Sequence, residues 1–87
     1  MSDETTEWAA RLVEELERGE LIDIDEDVAR DTLLAGIGKL LAKSGDRAKT
    51  DEDVANQLAE DLAEVEGVGE LFVTAEDLQK VLAKTDA

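Results

Sequence analysis

The chain has 87 residues, of which 24 are acidic and nine are basic, so its formal net charge is −15. A surface this negative repels a phosphate backbone, and the sequence therefore predicts no direct binding of nucleic acid. No apolar run is long enough to cross a membrane, and the first residues do not resemble a signal peptide. We expect one acidic domain over residues 1–87, soluble and cytoplasmic.

Two features of the composition bear on function. Histidine, cysteine and tyrosine are absent, and with them the usual bases and nucleophiles near neutral pH, so we expect no enzyme and no cofactor. The negative charge has three interpretations. It can serve solubility or a halophilic setting, it can recognise a basic surface on a partner protein, or it can attract hard cations.

The first predicted helix covers residues 4–18, because its apolar residues recur on one helical face. That face contains Trp8, Ala9, Leu12, Val13 and Leu16. Ser2 or Asp3 is the expected N-cap, and Gly19 is the expected stop. We expect Trp8 to anchor the core rather than to bind a ligand.

The second predicted helix covers residues 25–43 and is the most apolar segment, so we expect it at the centre of the core. Its apolar stripe comprises Val28, Leu33, Leu34, Ile37, Leu40 and Leu41. The Ser-Gly pair at 44–45 is the expected end of this helix. Gly36 and Gly38 inside it indicate either close packing of a neighbouring helix or a kink.

The third predicted helix covers residues 51–66, with Thr50 as its N-cap. Its apolar stripe comprises Val54, Leu58, Leu62 and Val65. A short apolar segment around Phe72 is predicted to be extended, and Thr74 is predicted to cap a fourth helix over 75–84. We expect the C-terminal Thr-Asp-Ala to fray.

Two segments of the sequence match each other. GELIDIDEDV at 19–28 and GELFVTAEDL at 69–78 place a glycine, an apolar pair and an acidic helix start in the same order. The match predicts a small all-α domain of four helices in two helix–loop–helix halves. The pairs Leu21–Ile22 and Leu71–Phe72 are expected to join the halves by a minimal two-stranded antiparallel bridge. This arrangement resembles a paired EF-hand domain.

The resemblance directs attention to Asp23, Asp25 and Asp27, since alternating aspartates begin a calcium loop. In that frame, Val28 occupies the position that needs glycine, and Leu34 occupies the position that needs a bidentate glutamate. The calcium motif is therefore missing, and the three aspartates remain candidates for no more than a degenerate cation site. Their favoured role is to start the second helix, with Asp23 or Asp25 as its N-cap.

The leading hypothesis is a non-catalytic acidic helical module that binds a partner protein, with a basic surface on the partner as one option. The candidate contacts are Leu21, Ile22, Leu71 and Phe72, unless these residues are buried as core. Further candidates are the acidic residues Glu14, Glu17, Glu60 and Glu64. Three alternatives stay open: a small inhibitor that imitates nucleic-acid charge, a degenerate EF-hand-like cation-binding protein, and a designed protein without an evolved function. The sequence also leaves the oligomeric state open.

Overall fold

The computed structural model describes residues 3–86 and divides them into four helices and two short strands. In chain order these are α1 (Asp3–Arg18), β1 (Ile22–Ile24), α2 (Arg30–Ala48), α3 (Glu52–Ala63), β2 (Val68–Leu71) and α4 (Ala75–Thr85). The predicted four-helix fold with an antiparallel two-stranded bridge is confirmed. The proposed N-cap Ser2 lies outside the described residues, and Asp3 is already helical.

The helices form a ring in which α2 packs against α1 and α3, and α4 packs against α3 and α1. Apolar residues at helical spacing fill its centre: Trp8, Ala9, Leu12, Val13, Leu16, Leu33, Ile37, Leu41, Ala48, Ala55, Leu58, Leu62, Ala75, Leu78 and Leu82. Burying one leucine-sized side chain contributes roughly 1.5–3 kcal/mol, so packing holds these helices more than their intrinsic propensity does. Contacts of β1 with α1 and of β2 with α3 attach the sheet to this ring.

Trp8 is a core residue, as predicted, with 8% of its surface exposed. Its indole Nε1 donates a hydrogen bond to Thr85 Oγ1 at 3.1 Å, and Arg11 Nε donates to the Thr85 carbonyl at 2.8 Å. Thr85 ends α4 and is only 4% exposed, so the prediction that fraying begins at Thr85 is wrong, while Ala87 lies outside the described residues. Sequence reasoning misses these two contacts because Trp8 and Arg11 lie in α1, at the other end of the chain.

The helix predicted over 25–43 is α2, which begins and ends five residues later, at Arg30 and Ala48. Its end is misplaced because Gly45 is a packing residue and not a stop. A Cβ atom on Gly45 would lie 2.7 Å from Trp8 Cη2, so glycine lets the indole lie directly against the helix. Gly36 similarly faces Val65, whose Cγ1 would lie 2.8 Å from an added Cβ, and this close approach supports the packing interpretation.

The start of α2 is misplaced because the sheet occupies the residues before it. Asp23 lies in β1, and Asp25 N, directly after β1, donates a backbone hydrogen bond at 2.7 Å to Gly67 O, directly before β2. Asp25 Oδ1 accepts a hydrogen bond from Asp27 N at 2.9 Å in a local turn. The N-cap of α2 is Ala29, which has no side-chain capping bond, so the prediction that Asp23 or Asp25 caps this helix is wrong.

The caps of the last two helices follow the sequence more closely. Asp51, and not the predicted Thr50, is the N-cap of α3, because its side chain accepts hydrogen bonds from two N–H groups of the first turn. The helix ends at Ala63, three residues before the predicted end at 66. Thr74 caps α4 as predicted, and its Oγ1 accepts a bond from a first-turn N–H at 3.1 Å.

The sheet forms between the two apolar pairs that the repeat predicts. Ile22 lies opposite Leu71, Asp23 opposite Glu70, and Ile24 opposite Val68. Phe72 N donates to Leu21 O at 2.7 Å, which confirms the pairing of Leu21–Ile22 with Leu71–Phe72. The sheet continues beyond the predicted bridge because Gly67, with φ of +104°, turns the chain from α3 into β2. The register shift places a bulge at Gly69.

Candidate protein-interaction site

The four residues predicted to contact a partner lie in or beside the sheet, but they differ in exposure. Leu21, Ile22 and Leu71 are half-buried and pack against the core. Phe72 is 56% exposed and is the only large apolar side chain exposed in the part of the chain that the structure describes. Because alternate residues of a strand face opposite sides, the inward position of Leu71 directs Phe72 outward. Phe72 is therefore the principal apolar contact available to a partner.

An open groove of about 660 Å³ runs beside β1. Residues 22–26 line it together with Glu17, Glu20, Val28 and Arg30, and we name it the β1 groove. No residue of β2 lines it, so the groove lies on the side of β1 that faces away from the other strand. Its apolar surface comes from Ile22, Ile24 and Val28, which are half-buried.

The β1 groove is strongly negative. Five carboxylates and one guanidinium line it: Glu17, Glu20, Asp23, Asp25, Glu26 and Arg30. Arg30 Nη2 lies 3.0 Å from Glu17 Oε1, so the single cation is already paired. The other four carboxylates form no ion pair within residues 3–86. The groove is therefore complementary in charge to a cationic ligand.

The structure does not bring the three candidate metal ligands together. Asp23 lies in a strand, Asp25 accepts a hydrogen bond from the main chain of Asp27, and all three side chains are exposed. Among the described residues, no group of three or more side chains of the ligand-forming types is placed to hold a metal ion. The groove thus attracts cations by summed charge and has no assembled coordination shell.

Sequence reasoning overlooks Glu20 as a residue of the groove. The end of α1 is a Schellman motif, in which Glu20 N donates to Glu17 O at 3.0 Å and Leu21 N donates to Leu16 O at 2.8 Å. The left-handed position of this motif normally carries glycine, but Glu20 occupies it with φ of 57°. The left-handed conformation of Glu20 is not evident from the sequence. The neighbouring Gly19 is expected to take the left-handed position, because glycine usually does so at a helix end.

The other acidic candidates do not form one surface. Glu14 and Glu17 lie on α1, whereas Glu60 lies on α3 and Glu64 directly follows it. The helices α1 and α3 occupy opposite corners of the ring, since each packs against α2 and α4. The four carboxylates are all exposed, but they do not make up a single ridge. Of the four, only Glu17 lines the β1 groove.

Three basic side chains form a separate positive stripe on α2. Six of the nine basic residues form ion pairs with carboxylates. The three without an ion pair in the described chain are Lys39, Lys43 and Arg47, at successive four-residue intervals. Side chains four apart are neighbours on a helix, so the three exposed cations lie along one side of it. Charge is therefore distributed unevenly over this acidic protein.

Ion pairs outside the β1 groove shift the pKa values of two side chains, Glu15 and Lys49. A hydrogen bond from Lys84 lowers the pKa of Glu15 against the opposing effect of desolvation, and the charge of Arg18 lowers it further. Lys84 Nζ lies 2.9 Å from one Glu15 oxygen, and Arg18 Nη1 lies 2.7 Å from the other. A hydrogen bond to Asp86 raises the pKa of Lys49. These contacts fasten the C-terminal end of the chain to α1 and α2.

The candidate site offers three means of holding another molecule. Phe72 provides apolar contact, the β1 groove provides charge attraction, and the outer edge of β1 provides backbone hydrogen bonds.

No helix in residues 3–86 has the length and apolar character that a membrane span requires. Comparison with protein-family models, curated proteins and solved structures finds no match to this chain.

Proposed function

We propose that this protein is a non-catalytic acidic interaction module that binds a basic surface of a partner protein. The observation that carries the proposal is the exposure of Phe72 beside the sheet, since every other large apolar side chain described by the structure is buried or partly buried. Aromatic side chains, including phenylalanine, are enriched in the cores of protein interfaces. Phe72 pairs with Leu21, so its main chain lies one strand away from the β1 groove.

The charge of the site indicates the chemistry of the partner. Four unpaired carboxylates in the β1 groove would attract lysine and arginine side chains and would repel acidic proteins. Attraction of this kind increases the association rate and is weakened by salt, whereas the apolar contact of Phe72 is less sensitive to salt. The proposed interface therefore combines one apolar anchor with an acidic surround.

Affinity capture from a lysate of the native host at physiological salt tests the proposal. The full chain, the variant Phe72→Ser and the control Ala42→Ser, which changes an exposed residue of α2, would be compared by quantitative mass spectrometry. We expect a basic protein to be retained by the full chain and the control, and to be lost with Phe72→Ser. With a purified partner, Phe72→Ser should weaken binding by about tenfold or more. Recovery of no protein that depends on Phe72 would show that the proposal is wrong.

A further inference from the structure

We infer that an extended segment of the partner protein adds as a third strand to the outer edge of β1, with lysine or arginine side chains over the β1 groove. The inference rests on the proposed function and specifies how the partner is held. It commits to a cationic, extended polypeptide and not to a helix, because the groove borders the main chain of a strand. Three properties of β1 carry it: its free backbone groups, its apolar surface and its charge.

The backbone groups on the outer edge of β1 are free to pair. On the inner edge, Leu21 O accepts a hydrogen bond at 2.7 Å from Phe72 N, directly after β2, and Asp25 N donates one at 2.7 Å to Gly67 O, directly before β2. Peptide groups alternate in direction along a strand, so those of Ile22 and Ile24 point away from β2. Within the described chain, neither residue has a backbone hydrogen bond outside the β1–β2 ladder. An added strand finds two donors and two acceptors there.

The side chains along this edge suit an alternating sequence. Ile22, Ile24 and Val28 give the β1 groove apolar surface, and carboxylates such as Asp25 and Glu26 flank it. Alternate side chains of an added strand point to opposite sides. Apolar residues of the partner would therefore contact the isoleucines, while the intervening lysine or arginine residues would reach the carboxylates.

The same charge argues against a second copy of this chain as the occupant. Two β1 edges paired with each other would bring Asp23 and Asp25 of one copy close to those of the other. Like charges opposite each other destabilise strand pairing, and acidic residues at a sheet edge are a known protection against self-association. A cationic strand removes this repulsion, so the edge is selective for a partner of opposite charge.

NMR titration of the isotope-labelled full chain tests the inference. The probe is a hexapeptide of alternating lysine and valine with blocked termini. One control peptide carries the same residues in block order, and another carries N-methyl groups on the amides that would face β1. We expect saturable shifts and slowed exchange of the Ile22 and Ile24 amides with the probe alone. Both controls should bind at least about tenfold more weakly, because they lose register or backbone hydrogen bonds. Equal binding of all three peptides, or shifts spread over exposed acids elsewhere, would overturn the inference.

Two variants that each remove one negative charge distinguish the effect of the β1 groove on peptide binding from the effect of the overall negative charge. Glu26→Gln removes a carboxylate that lines the β1 groove, and Glu4→Gln removes one from the first turn of α1. We expect Glu26→Gln to weaken binding of the alternating peptide by about threefold, and Glu4→Gln to leave it nearly unchanged. Equal weakening by the two variants would show that attraction is general, and the inference would be wrong.

The outcomes also distinguish this inference from the proposed function. Capture of a partner that depends on Phe72, without any effect of the peptide on Ile22 and Ile24, would leave the interaction module intact and overturn strand addition. Loss of both results would overturn both. Binding of the peptide at β1, with displacement of the captured partner by the same peptide, would support both.

Discussion

Glu20, a residue of the β1 groove, has a main-chain conformation that lowers the stability of the fold. Its φ of 57° is unfavourable for any residue with a Cβ atom, and glycine would fit the Schellman motif without strain. We predict that Glu20→Gly is more stable than Glu20→Ala by about 1 kcal/mol, as measured by urea unfolding. Both variants remove the same charge, so their difference isolates the main-chain conformation. If the alanine variant is as stable as the glycine variant, Glu20 is not strained.

Glu15 links the stability of the α1–α4 contact to pH. The hydrogen bond from Lys84 and the charge of Arg18 lower its pKa below the ordinary value of 4.5. A lowered folded-state pKa contributes stability above the unfolded value, and this contribution is lost as pH falls through the folded value. We therefore predict that wild type is more stable than Glu15→Gln at neutral pH and that the difference disappears in acid.

Unfolding with urea across the acid range checks this pH dependence. Glu14→Gln is the matched control, because Glu14 is the adjacent carboxylate of α1 and forms no ion pair within the described residues. It reports the effect of removing one negative charge from the same helix. A difference between wild type and Glu15→Gln that grows towards low pH would contradict the assignment of the ion pair.

Among the helices, α2 contains glycines for which the same substitution should have opposite effects. Gly→Ala in a helix interior normally stabilises by up to about 1 kcal/mol. At Gly38 the new Cβ would lie 3.8 Å from Thr5 Cγ2, an ordinary contact, so we predict stabilisation by Gly38→Ala. At Gly45 it would lie 2.7 Å from the Trp8 ring, so we predict that Gly45→Ala is destabilised by about 1–3 kcal/mol. Thermal unfolding of the two variants checks the signs, and a stabilised Gly45→Ala would contradict the packing.

These elements also show how far sequence reasoning reaches. The helices of the ring were predictable because apolar residues recur at helical spacing. The strand pairing was predictable because the Gly-Glu-Leu segment occurs twice. The bounds of α2 were not, since its end depends on a contact between Gly45 and Trp8, and its start on a sheet bond of Asp25. The β1 groove was also not predictable from the sequence. Which edge of β1 stays free is determined only when its other edge pairs with β2.

The whole molecule concentrates a formal charge of −15 within extents of 33 × 30 × 20 Å. The Debye length falls from about 10 Å at 0.1 M salt to about 3 Å at 1 M, so salt should reduce the mutual repulsion of these carboxylates. We predict that sodium chloride raises the melting temperature, by about 4–8 °C for each 1 kcal/mol of repulsion removed. Potassium chloride should act equally. Saturable extra stabilisation by calcium at the same ionic strength would instead indicate a specific cation site.

The packing of Trp8 also determines what the intrinsic fluorescence of this protein reports. Trp8 is the single tryptophan of the chain and tyrosine is absent, so near-ultraviolet emission comes from one indole. That indole contacts α2 and hydrogen-bonds the last residue of α4, and its emission therefore follows the closure of the helical ring. Glu17 lies nine residues further along α1, roughly 14 Å away by helix rise. A ligand in the β1 groove should leave the emission unchanged, so the intrinsic fluorescence reports unfolding of the ring and not binding at the groove.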